Sequence, residues 1–147
     1  MQQFVINGGN PLSGTVRAGG NKNAATKMIP ACLLTDEPVI LHNMPDILDV
    51  RVAIDLMQDL GASVEWVDES TLRVHAQNIK THILDPEKAR KTRASFVFAG
   101  PMIGRMHAVE IPAPGGDVIG ERRLDTHITA LRALGVEVEY ARGIFRM

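Results

Sequence analysis

Apolar residues recur along this chain with two different periods, one handing over to the other. In "VRVAIDLMQDLGASVEW", residues 50–66, they return at helical spacing up to a Leu-Gly pair and then alternate, which predicts a helix followed by a strand. The pattern repeats in "LDTHITALRALGVEVEY", residues 124–140. Leu60-Gly61 falls on Leu134-Gly135, Val64-Glu65-Trp66 on Val138-Glu139-Tyr140 and Ile54 on Ile128, each at an offset of 74 residues. A glycine at the end of each helical run suits a left-handed closing residue.

Upstream, each copy has a second helical run with an internal proline. Pro30 stands eight residues after Lys22 in "KNAATKMIPACLL", and Pro101 eight residues after Arg93 in "RASFVFAGPMIG". The strands "PVILHN" and "HAVEIP" follow, and in the first copy "TLRVHA" closes a hairpin across Asp68-Glu69-Ser70. Before the first helix, "GTVRA" also reads as a strand. Self-similarity at a fixed period marks units that share a core. The expected fold is therefore α/β (α+β), built from repeated βαβαββ-like units, with unit one at about 21–76 and unit two at about 90–147. Carrying the closing strand forward by 74 residues places its counterpart at 145–150, which runs past Met147. The expectation is a second unit truncated in its last strand and a chain that is the N-terminal piece of something longer.

Composition narrows the function without naming it. With 16 basic and 17 acidic side chains the net charge is −1, so no global field favours nucleic acid or an anionic membrane, and any anion site must be local. The sequence has no apolar run near the roughly 18 residues of a membrane span, and the start "MQQFVINGGN" does not resemble a signal peptide. A cytoplasmic location is expected. The single cysteine, Cys32, lies in an apolar helical stretch and reads as a buried, inert thiol. His42, His75, His82, His107 and His127 show no ligand spacing with one another or with Cys32, so no metal site is expected.

Candidate chemistry gathers at two places. In "RAGGNKNAATK", Asn21 is placed to cap a helix whose first turn carries Lys22 and Asn23, behind Gly19-Gly20. Free amides, glycine backbone and an ammonium group suit a phosphate or carboxylate, although the spacing is not that of a Walker A loop. A solvated surface lysine is the alternative. Arg93 holds the corresponding place in the second unit, and two such cations facing one cleft would hold one polyanion, whereas either alone reads as an exposed charge. The second place is "PGGDVIGERRLDTH", residues 114–127, with Asp117, Arg122, Arg123, Asp125 and His127. Asp125 suits a helix cap or a ligand contact, Arg122 or Arg123 suits a forked contact to phosphate or carboxylate, and His127 suits either surface or site. Asp117 lies too far from the helix to cap it, among glycines that suit a closing loop.

Four stretches, "GGNPLSGTVRAGGNKNAA", "LLTDEPVILHNMPDILDV", "TRASFVFAGPMIGR" and "PGGDVIGERRLDTHITALRALG", together resemble the N-terminal third of the enolpyruvyl transferases that act on UDP-N-acetylglucosamine. The sister enzymes that make enolpyruvylshikimate phosphate share the fold but usually carry their lysine in a Gly-Ser-Lys-Ser context, unlike "GGNKNAA". The resemblance implies a two-domain, inside-out α/β barrel with substrates between the domains and residues 1–20 packed with the other domain. The remainder, 21–147, would be a partial catalytic domain lacking its C-terminal partner segment. It implies transfer of the enolpyruvyl group of phosphoenolpyruvate to the 3′-hydroxyl of UDP-N-acetylglucosamine, an early step of peptidoglycan synthesis, without a cofactor. By matching motif, Lys22, Arg122 and Asp117 would be catalytic. Lys22, Asn23, Arg93, Arg122, Arg123, Leu124, Asp125, Thr126 and His127 would bind substrate. Asp117 stands where most of the family has cysteine; as an acid it would serve as proton donor and imply resistance to the thiol-alkylating epoxide fosfomycin. The isolated chain is expected to be inactive, either as an anion-binding module or as a non-functional fragment.

Overall fold

A computed structural model describes residues 3–115 and 123–147. Its elements run α1 (Lys22–Ala31), a 3-10 turn (Cys32–Leu34), β1 (Val39–Leu41), α2 (Leu48–Leu60), β2 (Ser63–Asp68), β3 (Thr71–His75), α3 (Pro86–Ala89), a 3-10 helix (Arg93–Phe98), α4 (Ala99–Met106), β4 (Glu110–Pro112), α5 (Asp125–Ala133), β5 (Glu139–Ala141) and β6 (Ile144–Arg146). The repeat read from the sequence is present. Each unit folds its strands into a three-stranded sheet of the same order, β1-β3-β2 and β4-β6-β5, with the last strand in the middle and antiparallel to both neighbours. β6 is the counterpart of β3, so among the described residues the second sheet has all three strands of the first.

The local chemistry explains the boundaries. Asn21 is extended and its side chain accepts a hydrogen bond from the Ala24 amide at 2.9 Å, starting α1. Gly61 closes α2 at φ 108°, in the left-handed region, and a side chain there would meet the Asn78 carbonyl oxygen at 2.6 Å. Gly135, after α5, has φ 89°. The β2–β3 turn is fastened by the Ser70 amide on the Asp68 carboxylate at 2.8 Å.

Two expectations are corrected. The segment "GTVRA" is not a strand: residues 14–18 are irregular and exposed, Val16 at 93%. An extended segment counts as a strand only where a neighbour completes its ladder, and among the described residues none flanks this one. The second proline-containing helix is not one α-helix but a 3-10 helix, Arg93–Phe98, leading into α4. Pro101 thus falls in the first turn of α4, the part of a helix that tolerates proline best. Pro30 instead sits at the last turn of α1.

One hydrophobic cluster runs through both units. Ala25 and Ile29 of α1, Val50, Leu56, Met57 and Leu60 of α2, and Leu72 and Val74 of β3 join Phe96, Phe98, Met102, Ile111 and Phe145 of the second unit. α1 lies against α2 on one side and the 3-10 helix Arg93–Phe98 on the other, so it is shared between units. No residue of α5 is fully buried; Ile128 and Leu131 only border the cluster. At the N-terminal end, Phe4, Ile6, Leu12 and Val16 are almost fully exposed. No helix among the described residues is long and apolar enough to cross a membrane.

Leu72 is fully buried in the middle strand of the first sheet. Leu72→Ala should lower unfolding free energy by about 2–5 kcal/mol in urea titration, from lost transfer energy plus the cavity left behind. Burial also pushes the Cys32 thiol up to about 11. At pH 8 roughly one part in a thousand is then thiolate, so a disulfide reagent should label Cys32 only as fast as the protein unfolds.

Candidate active-site cleft

Four helix starts converge on one open cleft of about 600 Å³. α1 contributes Lys22, Asn23, Thr26 and Lys27; the lead-in and first turn of α2 contribute Ile47, Leu48 and Asp49. The start of the 3-10 helix supplies Lys91, Thr92 and Arg93, with Phe96 further along, and the start of α5 adds Leu124 and His127. The arrangement follows from the repeat, because packing α1 between α2 and the 3-10 helix brings the leading ends of both units together. Among the described residues, the N-cap positions of α2 and α5 are held by Ile47 and Leu124, which make no side-chain capping bond. Among the described residues, Lys22, Lys27, Lys91 and Arg93 face the cleft against the single carboxylate of Asp49, in a chain of net charge −1.

Polar contacts order this cluster. Lys22 Nζ lies 3.0 Å from Asp49 Oδ2, with the lysine side chain 56% and the aspartate 29% exposed. Lys22 holds the Asp49 carboxyl below the usual aspartate value, and the Thr92 hydroxyl, from the other unit, hydrogen-bonds to the same carboxylate and pulls the same way against partial burial. Lys27 Nζ donates to the Asn23 carbonyl at 2.9 Å, over the first turn of its own helix. Arg93 Nη2 donates to the Arg123 carbonyl at 3.1 Å, tying the 3-10 helix to the lead-in of α5. The His127 ring stands 5.8 Å from that of Phe96, which in turn meets Phe145 edge-on at 5.4 Å.

Of the residues singled out in the sequence, the fold brings Lys22, Asn23, Arg93, Leu124 and His127 around the cleft. Asp125 does not cap α5: Leu124 holds the cap position, Asp125 is the first helical residue, and its carboxylate pairs with Arg123 Nε at 3.0 Å. Arg123, Asp125 and Thr126 are exposed beside the cleft and do not line it. Asp117 and Arg122 lie outside the described residues. Sequence reading missed Asp49, Lys91 and Thr92. The 74-residue offset did hold one signal, since it maps Asp49 onto Arg123 and so marks position 49 as the first unit's counterpart of a suspected site residue.

The fold is that of an α/β repeat protein that gathers cations and helix starts from two units onto one cleft. Comparison with known proteins gives that class a family: residues 6–146 match the profile of EPSP synthase (3-phosphoshikimate 1-carboxyvinyltransferase), and the chain belongs to that family. It is 47% identical over 136 residues to the UDP-N-acetylglucosamine 1-carboxyvinyltransferase of Bradyrhizobium diazoefficiens, covering 92% of this chain and 32% of that protein. It is 45% identical over 139 residues to the enzyme of the same name from Treponema denticola, covering 95% and 33%. The chain thus spans about a third of the length of these curated relatives. Among solved structures, the enolpyruvyl transferase NikO from Streptomyces tendae superposes with a TM-score of 0.75 at 24% identity, over 95% of this chain and 30% of that one, a likeness of fold.

The Lys22–Asp49 contact has a measurable signature. A depressed carboxyl contributes stability that is present above its unfolded pKa and lost as pH falls through the folded one. Carbon-detected NMR titration should therefore place Asp49 below the ordinary value of 3.8, and Lys22→Ala should raise its midpoint back toward it. The Lys22→Ala protein should correspondingly lose less stability than the parent between neutral pH and the acid limb below 3.8.

Proposed function

We propose that this chain supplies the N-terminal part of an enolpyruvyl transferase whose substrates are phosphoenolpyruvate and UDP-N-acetylglucosamine, in cytoplasmic peptidoglycan synthesis. The observation that carries the reading is the meeting of Lys22 and Arg93, from equivalent places in the two units, on one cleft lined by helix starts. Two fixed cations separated across a cleft suit a ligand with more than one anionic group, and both substrates are such ligands. The 45–47% identity to enzymes named for this activity supports the same choice over the shikimate-directed reaction.

In this reading Lys22 and Arg122 meet phosphoenolpyruvate, and Asn23 lies at the reacting centre. Arg93 and the run Arg123, Leu124, Asp125, Thr126 and His127 face the nucleotide sugar. The sugar 3′-hydroxyl adds to C2 of phosphoenolpyruvate and releases its own proton to a base, while Asp117 gives a proton to the methylene carbon. Phosphate then leaves with its C–O bond electrons and a proton is lost from the methyl group, which restores the double bond and leaves the product as an enol ether. The exposed apolar side chains Phe4, Ile6, Leu12 and Val16 support residues 1–20 packing with a second domain. No cofactor is called for, because preorganised charge supplies the stabilisation that the developing anions need.

Calorimetric titration of the chain with UDP-N-acetylglucosamine tests the binding half. Heat that disappears in Arg93→Ala is expected, and no binding at millimolar ligand would return the cleft to a structural role. In the complete enzyme, Lys22→Ala should lose at least ~100-fold in kcat/KM. An unperturbed aspartate, with a pKa of about 3.9, is ionised at neutral pH, so activity should fall with rising pH and Asp117→Asn should be inactive. Asp117→Cys should remain active and become sensitive to fosfomycin, to which the carboxylate enzyme should be resistant. Time-dependent inactivation of the unsubstituted enzyme with an adduct in residues 114–122 would exclude this role for Asp117.

A further inference from the structure

The approach to α1 is closer than a side chain allows. A Cβ built on Gly20 would fall on the Asn43 carbonyl oxygen and lie 2.7 Å from Pro45 Cδ and 2.9 Å from the Pro45 nitrogen. At Gly19, one residue earlier, a Cβ would have nothing within 4 Å. Gly20 does not have a positive φ, so the requirement is for space and not for an unusual backbone conformation.

The surface that Gly20 touches cannot readily give. Asn43 has φ 54°, Met44 is 4% exposed and donates its amide to the Ser70 carbonyl at 2.7 Å, and the Ile47 amide bonds the Pro45 carbonyl at 3.1 Å. This loop is pinned to the β2–β3 turn at one end and runs into α2 at the other. Gly20 stands two residues before Lys22, and Pro45 four before Asp49. A side chain at Gly20 must therefore displace either the start of α1 or the start of α2, and each carries one half of the ion pair that stands 3.0 Å apart in the cleft.

We propose that Gly20 is a positioning residue of the cleft: its bare α-carbon lets the lead-in of α1 rest on the Asn43–Pro45 backbone, and that contact sets the spacing of Lys22 and Asp49. The second unit repeats the device with the partners exchanged. There the glycine is on the segment after the strand, and a Cβ at Gly115 would fall on the carbonyl of Arg90, just ahead of the 3-10 helix. Both units thus bring the loop after their first strand against the chain entering their first helix, with one glycine at each crossing. The role concerns the shape of the cleft and stands whichever polyanion the cleft takes.

Gly20→Ala and Gly19→Ala, made in this chain, separate positioning from bulk stability. Asp49 is followed by carbon-detected carboxyl titration, which needs no substrate and so reads the inference independently of the proposed reaction. Gly19→Ala should leave the depressed Asp49 midpoint where it is, and Gly20→Ala should fold and shift it back toward 3.8. Val74→Ala, a core change further along β3 from the Asn43–Pro45 loop, should lower thermal stability without moving Asp49. If Gly20→Ala does not fold, Pro45→Ala is added, which removes Cδ and gives the loop room to retreat. An unmoved Asp49 midpoint in any folded protein carrying Gly20→Ala would overturn the assignment. Failure of both proteins to fold would overturn it equally, by making Gly20 a requirement of folding.

Discussion

The structure depends on α1 being shared. Ala25 and Ile29 face a core that includes α2 of the first unit and Phe96 of the second, so one helix joins two sheets that make no strand-to-strand bonds with each other. An apolar stripe packed on two sides fixes helix direction as well as position, because ridges must enter the grooves of both neighbours. The leading ends of α1, α2 and the 3-10 helix are consequently held at one end of the shared core. The cleft is a by-product of that constraint before it is anything chemical: helix starts collect there because packing puts them there, and Lys22, Lys91 and Arg93 bring positive charge to the same place.

Across this junction the polar contacts repeat the logic of the core. Asp49 accepts from Lys22 in its own unit and from Thr92 in the other, so a carboxylate with two donors bridges the repeat boundary. Arg93 performs a similar service within the second unit by holding the Arg123 carbonyl. An exposed ion pair adds little to stability. The value of these contacts is geometric, in keeping a lysine that a ligand would need from wandering over the surface.

What the sequence disclosed was whatever leaves a local mark. Leu60-Gly61 and Leu134-Gly135 announce helix ends because a left-handed closing residue selects glycine, and Asn21 announces a start because its side chain serves the third amide onward. The equivalence of Lys22 and Arg93 was legible from their common distance to proline. The pairing of Asp49 with Lys22 was not, since the two are 27 positions apart and only the packing of α1 on α2 brings them together. "GTVRA" was misread because alternation shows that one side of a segment could be buried, while only a neighbouring ladder makes it a strand. The 3-10 course of Arg93–Phe98 has no periodic mark separating it from an α-helix over so few residues.

Placing the last strand of each unit in the middle of its sheet has a consequence for how the chain comes together on the ribosome. β1 and β2 run parallel and flank β3, so β1 has no partner until the segment opposite it, Val74 for Val39, has been made. In the second unit Ile111 waits likewise for Phe145, but there the neighbouring Glu110 already has a bridge to Ile83, made before it. The β2–β3 and β5–β6 hairpins close locally, but β1 must be kept unpaired through the synthesis of some 35 residues that separate Val39 from Val74. Such an exposed edge invites wrong pairing. At three residues, β1 and β4 are short, which limits what a stray neighbour could gain by zipping onto them during that interval.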